Sequence, residues 1–300
     1  MKKIAIVGCN SFLARNFVES YGNENFFYLY GRTLHHSYDA LVNYKYIEFN
    51  YPSNTLNLDD FLNYDVIIYA AAGGVQANLH ESNLITYQIN TFFPIELVNY
   101  MEDHNFKGKI ITFGSYFEIG GNDKSSPFDE ESLVFASGSI PNSYCDSKRL
   151  LTRFYSNKQF NVTWYHLILP SLYGPGEDEN RLIPYLINSL KEKKKPRLSS
   201  GEQIRQYIYI SDLVNLISLL IDQDIKADLY NVAGLDLPLS IKALVARIFD
   251  MLEIERPENQ PIATRDQQML YLALDDFKIR TAVKDWAPVV DLNTGLRKYL

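Results

Sequence analysis

The chain has 300 residues, of which 46% are hydrophobic and 22% charged, and its net charge is −7. This is the composition of an ordinary globular protein, and the excess of acidic residues argues against nucleic acid as a partner. No apolar run approaches a membrane span, and the N-terminal apolar run is too short for a signal peptide. The two cysteines, Cys9 and Cys145, lack metal-ligand spacing, so we predict no metal site and a reduced, cytoplasmic protein.

Strand and helix patterns alternate along the first half of the chain, which predicts a doubly wound parallel sheet of the Rossmann type. The predicted strands are residues 4–7, 26–30, 46–50, 65–74, 109–113 and 162–169. Beyond residue 170 the alternation is less regular, and two further strands are predicted at 205–212 and 230–234. One helix is predicted to begin after residue 11. The other predicted helices span 84–104 (kinked at Pro94), 142–155, 180–190 and 213–221. Residues 122–140 read as a polar loop.

This pattern predicts two domains in an α/β protein. Residues 1–170 are predicted to form the dinucleotide-binding Rossmann domain, and residues 171–300 a smaller, mixed α/β domain that binds the substrate. We expect residues 205–221 to pack back onto the first domain.

The turn after the first predicted strand has the spacing of a cofactor-binding turn. Gly8 is followed at intervals of three residues by Ser11 and Ala14, where the full fingerprint has three glycines. Small residues here let backbone N–H groups and a helix N-terminus approach a pyrophosphate. Taken alone, the pattern fits a βα unit without special function equally well.

Arg32 follows the second predicted strand and bears on the choice of cofactor. At this point NAD-binding folds carry an acidic residue for the ribose 2′-hydroxyl, whereas an arginine accommodates a 2′-phosphate. Arg32 therefore favours NADP(H), with NAD(H) as the alternative, and an exposed loop arginine without function is the other interpretation. His35 and His36 lack metal-binding partners nearby and are predicted to be solvated.

Three residues indicate acid–base chemistry. Tyr144 and Lys148 are four positions apart on a predicted helix and share one face, where a cation would bring the phenol pKa toward neutrality. Ser115 follows the fifth predicted strand, at the edge of the sheet where ligands bind. Neither signal is decisive alone, because Tyr-x-x-x-Lys occurs by chance on many exposed helices and a serine also caps loops.

In their order and spacing these motifs resemble the extended short-chain dehydrogenase/reductase family, the epimerases, dehydratases and reductases of nucleotide-activated sugars. The resemblance covers nearly the whole chain. It is carried by Gly8-x-x-Ser11-x-x-Ala14, Ala70-Ala71-Ala72, Ser115 ahead of Ile119-Gly120, Tyr144-x-x-x-Lys148, Tyr173-Gly174-Pro175-Gly176, the segment from Arg205 to Asp212, and residues 284–288.

The resemblance implies hydride transfer by a nicotinamide cofactor, with Ser115, Tyr144 and Lys148 as catalytic residues. Tyr144 would exchange a proton with the sugar oxygen that Ser115 holds, and Lys148 would lower the phenol pKa and bind the nicotinamide ribose. The implied cofactor-binding residues are Gly8, Asn10, Ser11, Phe12, Leu13, Arg32, Ala70, Ala71, Ala72, Asn90, Lys148 and Pro170. The implied substrate-binding residues are Ser115, Tyr116, Ser171, Asn180 and Arg205.

Departures from the family pattern narrow the reaction. Dehydratase members carry an Asp-Glu pair directly after their catalytic Thr, whereas Tyr116 and Phe117 follow Ser115, so a 4,6-dehydratase is not expected. Ile168 and Ser171 replace a usual arginine and asparagine, so the sugar contacts are expected to differ.

We predict an NADPH-dependent ketoreductase of a nucleoside-diphosphate-linked 4-keto-6-deoxyhexose. One alternative is a nucleotide-sugar epimerase that retains NAD, and the other is a non-catalytic NAD(P)-binding sensor or scaffold, which the incomplete glycine turn allows. A homodimer is predicted through helices 84–104 and 142–155, because the first helix is apolar on more than one face.

Overall fold

A parallel sheet forms the centre of the computed structural model, which describes residues 1–74, 82–122, 124–256 and 269–300. The strands in chain order are β1 (Lys3–Val7), β2 (Phe26–Gly31), β3 (Tyr44–Glu48), β4 (Val66–Tyr69), β5 (Lys109–Ser115), β6 (Thr163–Leu169), β7 (Ser171–Tyr173), β8 (Ile204–Arg205), β9 (Tyr207–Tyr209), β10 (Leu229–Asn231), β11 (Leu239–Ser240) and β12 (Tyr271–Leu272). Within the described residues, seven strands form the central sheet in the order β10-β6-β5-β4-β1-β2-β3, with every neighbouring pair parallel.

The described residues also form eleven α-helices, some of which cover the two faces of this sheet and others the smaller region that follows it. They are, in chain order, α1 (Phe12–Tyr21), α2 (Leu58–Phe61), α3 (Asn83–Tyr87), α4 (Phe93–Asp103), α5 (Glu130–Val134), α6 (Ser143–Asn157), α7 (Leu182–Lys191), α8 (Ile210–Asp222), α9 (Ile241–Met251), α10 (Phe277–Ala282) and α11 (Leu292–Arg297). Short 3₁₀-helices span His36–Tyr38 and Tyr116–Ile119.

The two faces of β1 show how the core is divided. Ile4 and Ile6 pack into a cluster that includes residues of α1 and α8, whereas Ala5 and Val7 pack into a cluster that includes α4. All four side chains are fully buried, as expected for a central parallel strand, which is apolar along its whole length. The prediction of a doubly wound parallel sheet is therefore confirmed.

A smaller mixed region follows β6. In it β8 pairs antiparallel with β11 and parallel with β12, and β7 pairs with β9. Helices α7, α9 and α11 enclose its own apolar cluster. Two elements from this half of the chain return to the first half. Helix α8 packs against α1, and β10 joins the central sheet by pairing with β6.

Three predicted elements in the first half have clearly different boundaries. The predicted strand 65–74 is only Val66–Tyr69, and residues 70–74 follow it outside the strand. The third strand is 44–48 rather than 46–50, because the Asn50 N–H donates to the Asn54 side chain and leaves the ladder. The predicted helix 84–104 is divided into α3, a π-helical turn at Gln88–Phe92, and α4. The interruption precedes Pro94, which has no N–H for the turn before it and so lies in the first turn of α4.

Two further corrections concern later segments. The predicted loop 122–140 contains α5, which is capped by the Asp129 carboxylate accepting the Ser132 N–H. The predicted strand 205–212 is two short strands, and α8 begins at Ile210 rather than at 213. The strands are separated by Gln206, whose amide bonds to the backbone of Leu274 on a different segment.

Candidate active site

The turn between β1 and α1 lies against the end of β4. Gly8 has φ of +87°, and a Cβ added to it would lie 2.4 Å from the backbone nitrogen of Ala71. Ser11 caps α1 by accepting the Ala14 N–H at 3.2 Å. The turn therefore needs a glycine at this position and directs the N-terminus of a ten-residue helix at the carboxyl edge of the sheet.

Further predicted cofactor residues surround this turn. The Asn10 amide donates to the carbonyl and hydroxyl oxygens of Thr33, which ties the turn to the loop after β2. Arg32 is exposed on that loop. Phe12 and Leu13 open α1, and the Leu13 side chain is buried in the core, so only its backbone faces the turn.

The remaining predicted cofactor residues lie along the same edge. The Ala70 N–H continues the ladder by donating to Val7, and Ala71 and Ala72 follow at the end of β4. Pro170 is buried directly after β6. Asn90 is fully buried, and its amide bonds to both backbone groups of Gly73 and to the Ser147 hydroxyl.

Ser115 ends β5 and makes a capping box with Glu118. Its hydroxyl accepts the Phe117 N–H at 3.4 Å, and its own N–H donates to the Glu118 carboxylate at 2.5 Å. The Ser115 hydroxyl also lies near the Tyr144 phenol and lowers its pKa. Ser115 therefore caps a 3₁₀-helix and lies beside the predicted acid at the same time.

Tyr144 and Lys148 lie on α6, whose N-terminus is capped by Asn142. Burial raises the phenol pKa of Tyr144 to about 12, whereas the nearby Ser115 hydroxyl and the charge of Arg181 lower it. The expectation that Lys148 brings this pKa toward neutrality is therefore wrong, because burial outweighs every group that lowers the pKa. Lys148 Nζ donates to the Phe113 carbonyl of β5 at 2.7 Å. Burial lowers the pKa of Lys148 to about 8, against the charge of Glu118, which raises it. The structure thus brings the three predicted catalytic residues together.

Glu118 is a functional candidate that the motif analysis missed. It is fully buried, and burial raises its carboxyl pKa to about 7, against hydrogen bonds from Thr152 and Ser115. A signal was present in the sequence, because Ser115-x-x-Glu118 is the spacing of a capping box.

Arg181 was also missed. Its guanidinium pairs at 3.1 Å with the Glu177 carboxylate, which is 2% exposed, while its own side chain is 39% exposed. Arg181 thus brings a partly exposed positive charge within electrostatic reach of Tyr144. The signal in the sequence was Glu177, which carries the opposite charge four residues before Arg181.

The predicted substrate residues have protein partners of their own. The Tyr116 phenol and the Ser171 hydroxyl hydrogen-bond at 2.7 Å. Asn180 bonds to the Asp178 carboxylate through its backbone and side-chain N–H groups. Arg205 is buried, donates to the carbonyls of Ile204 and Met269, and lies over the Phe117 ring.

Among the described residues, no group of three or more His, Cys, Asp or Glu side chains could hold a metal ion. Among the helices of the same residues, none is long and apolar enough to cross a membrane.

A parallel sheet with a glycine turn after β1 and a Ser-Tyr-Lys group at the end of β5 defines a dinucleotide-binding fold of the short-chain dehydrogenase/reductase type. The chain belongs to the NAD dependent epimerase/dehydratase family, whose sequence model matches residues 4–233. The family resemblance seen in the motifs is confirmed.

Known relatives and solved structures extend this comparison. The chain is 24% identical over 153 residues to CDP-abequose synthase of Salmonella typhimurium, a match covering 49% of this chain and 50% of the relative. It resembles the structure of UDP-glucuronic acid 4-epimerase from Bacillus cereus, solved with UDP-glucuronic acid and NAD (TM-score 0.83, 18% identity, 99% and 97% of the two chains). It also resembles dTDP-glucose 4,6-dehydratase from Bacillus anthracis with NAD (TM-score 0.81, 18% identity, 99% and 95%). The chain spans about half the length of the first curated relative, and the structural likenesses show the fold alone.

The close approach at Gly8 predicts a large effect of Gly8→Ala on stability. Gly176→Ala is the matched control, because Gly176 has φ of +86° but its added Cβ would meet only a guanidinium nitrogen of Arg15 at 4.0 Å. Both variants should lose about 1–2 kcal/mol through backbone strain. Gly8→Ala should lose about 1–3 kcal/mol more through overpacking against Ala71. The free energy of unfolding in urea measures both losses, and equal losses would contradict the proposed close packing.

Proposed function

We propose that this protein is an NADPH-dependent ketoreductase that reduces a nucleoside-diphosphate-linked 4-keto-6-deoxyhexose at C4. The observation that carries the proposal is the position of the Tyr144 phenol near the Ser115 hydroxyl at the end of β5, with Lys148 one helical turn further along α6. When bound, NADPH supplies the hydride, and the protein supplies orientation and one proton.

The β1–α1 turn fits a dinucleotide cofactor. The turn approaches the end of β4 so closely that a Cβ on Gly8 would collide with Ala71, and it leads into the N-terminus of α1. Backbone N–H groups and the helix dipole at such a turn favour a pyrophosphate. Arg32, exposed beside it, supports a contact with a 2′-phosphate. The predicted contacts of Asn10, Ser11 and Asn90 with the cofactor belong to the same proposal.

Tyr144 is suited to donate the proton. Because its phenol pKa is raised to about 12, the phenol carries its proton at neutral pH and can give it to an alkoxide as that charge develops. The Ser115 hydroxyl would hold the substrate oxygen beside it and stabilise the developing charge. The Lys148 ammonium has three donors, and one of them reaches the Phe113 carbonyl, so the others can serve the nicotinamide ribose.

Water elimination is disfavoured by the residues that follow Ser115. Tyr116 and Phe117 carry no carboxylate, and the carboxylate of Glu118 is fully buried, with its two oxygens accepting from Ser115 and Thr152. An acid or base for elimination must reach the substrate, which Glu118 in this position does not.

A nucleotide sugar is supported as the substrate class by charge and by relatives. Arg181 offers a partly exposed guanidinium near Tyr144, which suits a diphosphate, and Arg205 is the second basic candidate. The names of the relatives refer to CDP-, dTDP- and UDP-linked sugars.

The proposal is tested with a panel of nucleotide-linked keto-sugars and NADPH, followed by the loss of NADPH absorbance. Turnover of a 4-keto-6-deoxyhexose supports the reductase. Tightly retained NAD and interconversion of two sugars without net NADPH consumption would instead identify an epimerase. Cofactor binding without turnover of any sugar would identify a sensor.

Replacing Tyr144 by Phe should cut turnover by roughly 10²–10⁴, the range for a lost general acid. The ring remains, so cofactor affinity should stay near that of the wild type. Steady-state kinetics and a cofactor titration measure the two quantities separately. Near-full turnover of Tyr144→Phe on any active sugar would refute the mechanism.

Replacing Arg32 by Ala should weaken NADPH far more than NADH, because a charge-assisted phosphate contact is worth about 1.5–3 kcal/mol. Arg32→Lys keeps the charge and should retain part of the preference. Dissociation constants for both cofactors measure the effect. If NADPH and NADH weaken equally, Arg32 does not bind the 2′-phosphate.

We also propose a homodimer formed through α3, α4, α6 and the π-helical turn between α3 and α4. Leu84, Phe92 and Leu150 are 67%, 48% and 39% exposed on these adjacent elements, which is apolar surface that a partner would cover.

Phe92→Asp and Leu150→Asp should give monomers, because each places a charge in the proposed interface. Leu237→Asp is the control, since Leu237 is 86% exposed but lies outside these helices. Light scattering over a range of concentrations measures the mass. A monomeric wild type would rule out the dimer.

A further inference from the structure

A chain of hydrogen bonds between buried side chains runs behind the candidate active site. The Trp164 indole N–H donates to Thr112 Oγ1 at 2.8 Å, and that hydroxyl pairs with His166 Nδ1 at 2.7 Å. His166 Nε2 pairs with Thr152 Oγ1 at 2.9 Å, and the Thr152 hydroxyl donates to Glu118 Oε2 at 2.5 Å. Each of these five residues is at most 1% exposed, so the chain lies wholly in the interior.

Hydrogen-bonding capacity sets the direction of this chain. The single proton of the Thr152 hydroxyl goes to Glu118, so the bond from His166 must be donated by Nε2–H. Nδ1 is then an acceptor and takes the hydroxyl proton of Thr112, which itself accepts from the indole. The imidazole is neutral, and burial together with the charge of Lys148 lowers its pKa to about 3. Because the chain begins at an indole N–H in the interior, it orients a carboxylate and has no path that carries protons to solvent.

The other oxygen of Glu118 is bonded to the site itself. Oε1 accepts the Ser115 N–H at 2.5 Å. Gly114 makes room for this contact, because a Cβ there would lie 2.5 Å from Oε1 and 2.3 Å from the Ile168 side chain. On the other side, the Arg149 guanidinium donates to the Glu118 carbonyl at 2.6 Å. The carboxylate is thus held by the Ser115 N–H and the Thr152 hydroxyl, and Arg149 fixes the backbone of the same residue.

Lys148 is the charged group that this carboxylate acts on. Lys148 is 6% exposed, and burial of an ammonium is unfavourable without an opposite charge. The geometry places Glu118 close to Lys148, because Lys148 Nζ bonds to Phe113 on β5 and Thr152, one helical turn after Lys148 on α6, donates to the Glu118 carboxylate. The negative charge of Glu118 raises the pKa of Lys148, while His166 faces Lys148 from β6 as a neutral ring.

The other nearby ionisable groups do not replace Glu118. On α6 itself, Arg149 is positive and Tyr144 carries its proton at neutral pH, while Asp146 accepts the Tyr87 hydroxyl on α3. Arg181, at the start of α7, is positive.

We propose that Glu118 is a positioning residue whose carboxylate, aligned by Thr152 and the Ser115 N–H, keeps the buried ammonium of Lys148 charged and able to hold the ribose of the cofactor. This inference rests on the proposed function, because it assigns Lys148 to the nicotinamide cofactor.

The test is the pH dependence of NADPH binding, measured by fluorescence titration on the wild type and on variants. Wild-type affinity should fall above about pH 8, where the Lys148 ammonium loses its proton. Glu118→Gln keeps the shape but removes the charge, so this loss of affinity should begin about one pH unit lower or more. Protonation of NADPH itself affects the wild type and every variant equally, so it cancels when their pH midpoints are compared. Glu130→Gln is the matched control, because Glu130 is a partly buried carboxylate with raised pKa whose charged neighbours are Lys278 and Asp275.

A second pair of variants tests the alignment and serves if Glu118→Gln does not fold. Thr152→Val removes the hydroxyl that stabilises the carboxylate, so Glu118 holds its proton more tightly. The pH midpoint of the loss of NADPH affinity should therefore move to lower pH, as in Glu118→Gln, but by less. Thr152→Ser restores the hydroxyl and should restore the wild-type midpoint. A purely structural role would lower thermal stability in these variants and leave the midpoint in place.

The outcomes separate the two proposals. Wild-type protein that binds neither NADPH nor NADH would overturn the proposed function and the inference with it. If the wild type binds NADPH and either folded Glu118→Gln or Thr152→Val has the same pH midpoint, the role of Glu118 alone is overturned. A lower midpoint in these variants, with Glu130→Gln and Thr152→Ser unchanged, supports it.

Discussion

The arrangement of the site depends on how α6 is docked to the end of β5. Three polar side chains on one face of this helix bond to the strand and its 3₁₀ extension: Lys148 to Phe113, Arg149 to Glu118 and Ile119, and Thr152 to Glu118. All three are at most 6% exposed. A buried charged donor without a partner costs several kcal/mol, so sliding or rotating α6 by one residue would be strongly unfavourable. The same docking places Tyr144 near Ser115, so the geometry of the candidate site follows from a buried polar interface rather than from apolar packing alone.

The other side of α6 is fixed by the π-helical turn. Asn90 bonds to Gly73 and Ser147, and Thr91 donates to the Ser147 carbonyl at 2.7 Å. Two consecutive residues of the π-helical turn therefore bond to the same residue of α6. Gly74 lies beside Tyr144, since an added Cβ would be in ordinary contact with the tyrosine Cβ at 3.5 Å. The end of β4 and the catalytic helix are in this way joined through the side chain of Asn90.

The sequence predicted the central sheet because its signals are local. The four residues of β4 are apolar and buried, and Gly8 follows β1 directly. The three catalytic candidates also came from local motifs. The buried network could not be predicted in this way, because Glu118 and Thr152 are 34 positions apart and Thr152 and His166 are 14 apart. Their pairing depends on α6 crossing behind β5 and β6, which no spacing in the sequence encodes. The predicted strand 205–212 was wrong for a similar reason, since Gln206 separates β8 from β9 through a bond to the distant Leu274.

The position of one carboxylate also bears on the class of reaction. A carboxylate directly after the catalytic residue at the end of β5 can face the substrate, but Glu118 comes two positions later and turns into the protein. There both of its oxygens are engaged, and its charge acts on Lys148 through a medium of low polarity, where Coulomb interactions are stronger than in water. A carboxylate in this position affects the protonation of its neighbours and does not exchange protons with a sugar. Under the proposed function, proton exchange with the substrate would then fall to Tyr144, whose phenol lies near Ser115, and one such acid is what reduction of a ketone requires.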